Sequence, residues 1–211
     1  ALSDLGLYRE PIHLAAPSIY RDKQGMVSIR TEAPVAGIRY TLDGTEPGAA
    51  STVYAGPFLL TKGGVVKTRS FERDGTASEV STRQMGLSKT GWKIMEATGD
   101  GTAMAAIDED QWTLWSTLNR DSSAVVKFPQ DISIDMGKVQ VIKAFTYLPR
   151  QDKKTDGTVD QYAFYTSEDG TNWVKAAEGE FANIRANPLE QVVSLARPLP
   201  ARYIKFSILH V

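Results

Sequence analysis

The chain has no cysteine and only two histidines, His13 and His210, one near each end. The first absence excludes disulfides, thiolate catalysis and Cys-ligated zinc. It leaves the compartment open, because many exported bacterial proteins also lack cysteine. Histidine is the commonest general base and a favoured zinc ligand. Two at the margins argue against a Ser-His triad or a zinc site inside the chain. No apolar run approaches the ~20 residues that span a bilayer. Basic and acidic residues nearly cancel, 24 against 25, for a net charge of −1. No basic stripe offers itself to phosphates, so nucleic acid is not an expected partner. The glycines near Gly63 and Gly99 match neither a P-loop nor a dinucleotide fingerprint. The start, Ala1-Leu2-Ser3-Asp4, lacks a signal pattern. It reads as a cut from a longer chain, with any export signal lost.

What is present is strand material. Apolar residues make up 42% of 211, enough for one or two domains with real cores. One phrase occurs twice. Ile38-Arg39-Tyr40-Thr41-Leu42-Asp43-Gly44-Thr45 is echoed by Phe164-Tyr165-Thr166-Ser167-Glu168-Asp169-Gly170-Thr171. Each is an apolar strand running into an Asp-Gly-Thr turn, where Asp bonds locally to the backbone and Gly accepts positive φ. Val27 and Ile29 alternate with polar neighbours, as do Ile38, Tyr40 and Leu42, the period-two pattern of half-buried strands. Gly56-Pro57, Gly63-Gly64 and Asp74-Gly75 punctuate them. Further strands are predicted at 65–71, 79–82, 124–128, 132–136, 141–148, 161–166, 191–195 and 202–209, with a short helical turn at 103–107. No helix-length 3.6-residue period is sustained. The expected fold is all-β, two β-sandwiches in tandem. Residues 1–16 form a lead-in, 17–87 a first sandwich and 88–211 a second, with turn residues 86–91 as the boundary.

The run Tyr40-Thr41-Leu42-Asp43-Gly44-Thr45-Glu46-Pro47, followed by Val53-Tyr54-Ala55-Gly56-Pro57-Phe58, resembles the small immunoglobulin/fibronectin-like domain of bacterial chitobiases, β-hexosaminidases and other exported glycosidases. That resemblance implies a spacer. From Trp92 onward the chain resembles discoidin-like domains of the coagulation-factor type C fold, closest to family 32 of carbohydrate-binding modules, and so implies a jelly roll. The carrying residues are Ala106-Ile107-Asp108-Glu109-Asp110-Gln111-Trp112-Thr113-Leu114-Trp115, Ile132-Ser133-Ile134-Asp135-Met136-Gly137, Phe145-Thr146-Tyr147-Leu148-Pro149-Arg150-Gln151-Asp152 and Ala201-Arg202-Tyr203-Ile204-Lys205-Phe206.

The discoidin resemblance implies site residues. A sugar site needs an aromatic face for pyranose C–H groups and donors for vicinal hydroxyls. In sugar-binding relatives the Arg after the Tyr-x-Pro pattern contacts hydroxyls, which matches Arg150, and Tyr147, which enters the same loop, is a further candidate sugar contact. Asp156 is a loose match to a helping polar residue. The plainer reading is that Arg150 pairs with Asp152 or another carboxylate and shapes the loop. Trp112 is either a sugar platform or a residue that packs on the first domain. Trp115 and Trp173 are expected in the core. Ser116 stands where galactose-binding relatives often carry His, so the usual hydroxyl-reading imidazole is absent. Asp108, Asp110 and Thr113 fall on positions that hold a structural cation in the family, Ca²⁺ being the candidate. A further Glu ligand usually lies beyond the position of Val211, so the second domain is expected to be truncated there. The plainer reading is an acidic turn that caps a short helix.

Glycoside hydrolysis needs two carboxyls roughly 5–10 Å apart across a cleft. No pair here can be singled out, so the fragment itself is not expected to be an enzyme. The resemblances imply a non-catalytic accessory region of a bacterial glycoside hydrolase, in the manner of a chitobiase. It would be periplasmic, cell-surface or secreted. It would bind galactosyl, N-acetylglucosaminyl or fucosyl glycans weakly and adjoin the parent catalytic domain. Structural support without a ligand, and protein or cell-surface adhesion, are the alternatives.

Overall fold

The structure, a computed structural model, describes residues 14–32, 35–99, 101–117 and 127–211. Most of the predicted lead-in, His13, Asp100 and residues 124–126 of one predicted strand lie outside them. The chain divides into two compact units between Ser88 and Lys89. Among the described residues there are twelve strands, one short 3-10 turn and no α-helix.

The first unit holds β1 (Ser18–Arg21), β2 (Met26–Arg30), β3 (Gly37–Thr41), β4 (Thr52–Val53), β5 (Phe58–Leu59), β6 (Gly64–Phe71) and β7 (Ser81–Met85). They make a three-stranded sheet, β1-β2-β5, and a four-stranded sheet, β4-β3-β6-β7, with every pair antiparallel. The predicted alternation is what buries the core. Val27 and Ile29 turn inward from β2, and Val66 does so from β6. They close with Ile19 and Met85, flanked by the stacked rings of Tyr40 and Phe58. At the β3 turn Gly44 sits at φ +85° and the Asp43 carboxylate accepts the Thr45 amide at 3.0 Å. The same bond recurs at Asp74 with the Thr76 amide, and at Asp169 with the Thr171 amide in the second unit.

The second unit holds β8 (Lys93–Ala97), a 3-10 turn (Ala103–Ala106), β9 (Gln130–Tyr147), β10 (Gln161–Ser167), β11 (Val174–Glu180) and β12 (Gln191–His210). They form one antiparallel sheet in the order β11-β10-β12-β9-β8. The strands predicted separately at 132–136 and 141–148 are halves of β9, and those at 191–195 and 202–209 are halves of β12. The two long strands run together through a corner. Gly137 sits at φ +79°, and the ladder shifts register between Ser194 and Leu199 and again between Ala201 and Tyr203. Such irregularities bend a strand and re-aim its side chains. Past the corner the ladder lies back over its own first half. Phe145 of the far half stacks on Phe164 with ring centres 4.4 Å apart, and Tyr147 stacks on Phe206. The aromatic core includes Tyr162, Phe181, Ile184 and Ile208. A second cluster, Ala103, Ile107, Ile132 and Ile134, adjoins it, and Trp115 packs on both. The strands β8 and β11 were not predicted, because neither alternates cleanly.

The register gathers the loops. Gln161 pairs with both Glu180 and His210, Ile208 with Gln130, and Ala97 with Ile132. The loops leaving β8, entering β10 and leaving β11 therefore share one end of the sheet. Gly99 seats the first of these loops. Its φ is +121°, and a Cβ there would lie 2.2 Å from the Ser116 carbonyl oxygen. Gly99→Ala should destabilise the second unit by roughly 2 kcal/mol or more, from backbone strain and the clash together. Urea unfolding measures this, and an unchanged midpoint would contradict the close approach.

Candidate functional site

The loop after β9 is organised by Arg150. Its Nε and Nη2 donate to the two carboxylate oxygens of Asp152, each at 2.7 Å, and Nη1 donates to the Asp156 carbonyl at 2.7 Å. This bidentate pair is the strong geometry for an arginine. The guanidinium holds the Asp152 carboxyl well down, to about 2, helped by the Lys154 amide. Arg150 thus does what the plainer reading expected, shaping its own loop. Three of its five N–H groups are used and two remain. The Asp156 side chain is exposed, while its backbone supplies the contact to Arg150.

Tyr147 departs from the expectation that it belongs to the sugar site. Its ring stacks with Phe181 and Phe206 at 5.2 and 5.8 Å, and its hydroxyl accepts the Val159 amide at 3.1 Å. Burial pushes its phenol pKa up. The period-two pattern of β9 faces Tyr147 inward with Phe145, so the ring belongs to the core. Trp115 is also packed there, and its indole N–H donates to the Thr98 carbonyl.

Trp112 is 75% exposed. Its backbone N–H donates a hydrogen bond to the Asp110 carboxylate at 2.9 Å. Among the described residues its indole makes no hydrogen bond and no ring contact. Nothing joins Trp112 to Arg150 directly, although their loops share one end of the sheet. Ser116 is half-buried, and its amide donates to the Thr102 hydroxyl.

The acidic turn Asp108–Asp110, just before Trp112, is closed on itself by Thr113. The Thr113 hydroxyl lies 2.8 Å from Asp108 Oδ2 and 3.0 Å from the Asp110 carbonyl. Separations of this order are those of neighbouring oxygens around a Ca²⁺ ion with bonds of about 2.3–2.6 Å. Both are hydrogen bonds of the Thr113 hydroxyl, so a cation at this turn would replace them. Glu109 points elsewhere: it sits at φ +66° and its carboxylate pairs with Lys89 at 2.7 Å. Among the described residues no group of three His, Cys, Asp or Glu side chains gathers as a metal site, so a cation here would rely on the carbonyl and the hydroxyl.

A pocket of about 100 Å³ opens beside Arg150. Gln151, Lys153, Lys154, Thr158 and Arg185 also line it. The Gln151 side-chain amide donates to the Pro149 and Pro188 carbonyls, at 2.8 and 2.9 Å, and ties the two walls together. Arg185 was missed from sequence. It belongs to the loop after β11, far along the chain, and no local pattern marks it. The Lys153-Lys154 doublet was visible, but only as a feature of the Arg150 loop.

Comparison with known proteins fits this architecture. Residues 77–211 match the family model of the F5/8 type C domain, and residues 7–82 match that of the Chitobiase/beta-hexosaminidase C-terminal domain. The chain belongs to the F5/8 type C domain family. It is 32% identical over 89 residues to a galactose oxidase of Gibberella zeae, covering 41% of this chain and 13% of that protein. It is 30% identical over 189 residues to a sialidase of Micromonospora viridifaciens, covering 88% of this chain and 25% of that protein. The chain therefore spans a quarter or less of the length of these two relatives. Among solved structures, the Clostridium perfringens domain CpGH89CBM32-5 in complex with GalNAc-beta-1,3-galactose is 28% identical, with a TM-score of 0.50. The match covers 58% of this chain and 86% of that one.

The Arg150–Asp152 pair has a titration signature. The folded carboxyl ionises near pH 2, whereas an unpaired Asp does so near ~3.9. The stabilisation from the pair is therefore present in full above about pH 4 and is lost as pH falls through about 2. In Arg150→Ala the Asp152 midpoint should rise to the ordinary carboxylate range. Carbon-detected NMR of the side-chain carboxyl reads it, and an unmoved midpoint would mean that the pair does not form.

Proposed function

We propose that the second unit is a non-catalytic carbohydrate-binding module, and that the first is a spacer joining it to the catalytic domain of an exported bacterial glycoside hydrolase. The observation that carries this reading is the likeness to a solved module bound to a disaccharide, over most of that module's length. An indole exposed at 75% on a loop at the end of the sandwich supports it. Trp112 offers a ring face to a pyranose, while Arg150 braces the neighbouring loop and keeps two N–H groups for hydroxyls. The module keeps the parent enzyme near its glycan, since linkage raises effective concentration without new catalytic contacts. One shallow site implies a dissociation constant of roughly 10⁻⁵–10⁻³ M. Galactosyl, N-acetylglucosaminyl and fucosyl glycans are the ligands to try. The second reading is structural support, and the commitment of Arg150 to its own loop favours it.

A glycan array followed by calorimetry separates the two. Binding of at least one glycan is expected, and no binding leaves structural support. Trp112→Ala should weaken that binding about five- to tenfold, the worth of about 1–1.4 kcal/mol of ring contact. Its melting temperature should stay unchanged, because the side chain is exposed. Unaltered affinity would remove Trp112 from the site.

Within the same reading, Asp108, Asp110 and Thr113 hold a structural Ca²⁺ through one carboxylate oxygen, one carbonyl and one hydroxyl, with Asp110 also fixing the Trp112 amide. The ion would set the loop that carries the indole. EDTA should lower the melting temperature of the second unit, and added Ca²⁺ should restore it. An identical melting curve in EDTA would remove the cation.

A further inference from the structure

We propose that the pocket beside Arg150 takes the carboxylate of an acidic sugar, so that the module's ligand is an acidic glycan rather than a neutral one. This rests on the reading of the second unit as a carbohydrate-binding module and names the ligand class of that end. Four cationic side chains line the pocket, Arg150, Lys153, Lys154 and Arg185, and no Asp or Glu does. The chain as a whole carries a net charge of −1, so this concentration is local rather than part of a basic surface.

The charges differ in how far they are already spent. Arg150 is neutralised by Asp152 and serves as a strut. Arg185 makes one long bond, 3.3 Å from Nη2 to Asp160 Oδ2, and Asp160 also bonds to the His210 ring at 2.6 Å. Four of the five N–H groups of Arg185 therefore remain to donate to a carboxylate. The ammonium groups of Lys153 and Lys154 form no hydrogen bond or ion pair among the described residues. Lys154 exerts only a longer-range pull on Asp152. Lys153 sits at φ +64°, a conformation costly for a residue with a side chain. Asp152 and Asp160 are paired with arginines of the lining, and the exposed Asp156 carboxylate, close enough to act on Arg150, is not itself part of the lining.

The remaining lining suits a sugar ring. Thr155 and Thr158 bring hydroxyls, which donate to or accept from ring hydroxyls. The walls are braced before any ligand arrives, by Gln151 across to Pro188 and by Arg150 across to Asp156. A braced pocket loses less freedom on binding. About 100 Å³ admits one carboxylate-bearing end of a sugar rather than an oligosaccharide.

The test is calorimetry on this chain at low and high salt with two matched pairs. Trigalacturonic acid is compared with its methyl ester, and 3′-sialyllactose with lactose. At least one acid should bind about tenfold more tightly than its neutral counterpart, and added salt should shrink that advantage. The pair that responds tells a uronate from a sialate. Lys153→Ala with Lys154→Ala, and separately Arg185→Gln, should remove the preference for the acid while leaving the melting temperature unchanged. Equal affinity for acid and neutral partner overturns the proposal, as does a preference that survives all three substitutions. If neutral glycans bind and acids gain nothing, the carbohydrate reading stands and this one falls. If no saccharide binds, both fall.

Discussion

The second unit depends on one packing event, the folding of the β9–β12 ladder back over itself onto stacked aromatic rings. Phe145 and Tyr147 lie past the corner, while Phe164, Tyr162 and Phe206 belong to strands paired before it. Their stacking joins the two halves of a ladder that would otherwise be an open, one-sided sheet. Burying rings on both inner faces is what makes a sandwich stable. The corner has a steric cause in Gly137, whose positive φ a bulky residue would resist.

The fold-back also decides where chemistry can happen. It returns the end of β9 to the edge where β10 begins and β11 ends, so the Arg150 loop and the Arg185 loop face each other. The core and the candidate site are linked through Tyr147. Its ring is core, and its hydroxyl holds Val159 at the base of the loop that Arg150 and Asp152 shape. The register keeps the Tyr147 ring in that stack, because alternate side chains of a strand face the same side. The exposed indole of Trp112 lies under no such constraint, since its loop is set by Asp110 and by the close approach of Gly99 to Ser116.

Much of the fold was legible because it is written locally. Alternation marked Val27, Ile29, Ile38 and Tyr40, and Asp-Gly-Thr marked the turns through bonds spanning two residues. The resemblance placed Arg150 on a loop and Trp115 in the core. Strands β8 and β11 escaped because each is an edge strand held by a single paired neighbour, and neither carries a clean alternation of its own. The four predicted strands that proved to be halves of β9 and β12 were hidden by Gly137 and the Pro-rich 198–200 segment, which read as turns but act as bends within continuous ladders.

Composition and local chemistry by themselves determined that this is an all-β chain without cysteine, and which side chains of a strand such as β2 face inward. Those properties follow from residue identity and from contacts within a few positions. Only the tertiary structure decided that Arg150 is committed to Asp152 and Asp156, that Tyr147 is core, and that Arg185 joins the lysines of a distant loop around one pocket. Each of these depends on the register of a bent ladder. A register is a property of two strands and the core they share, and no single stretch of sequence carries it.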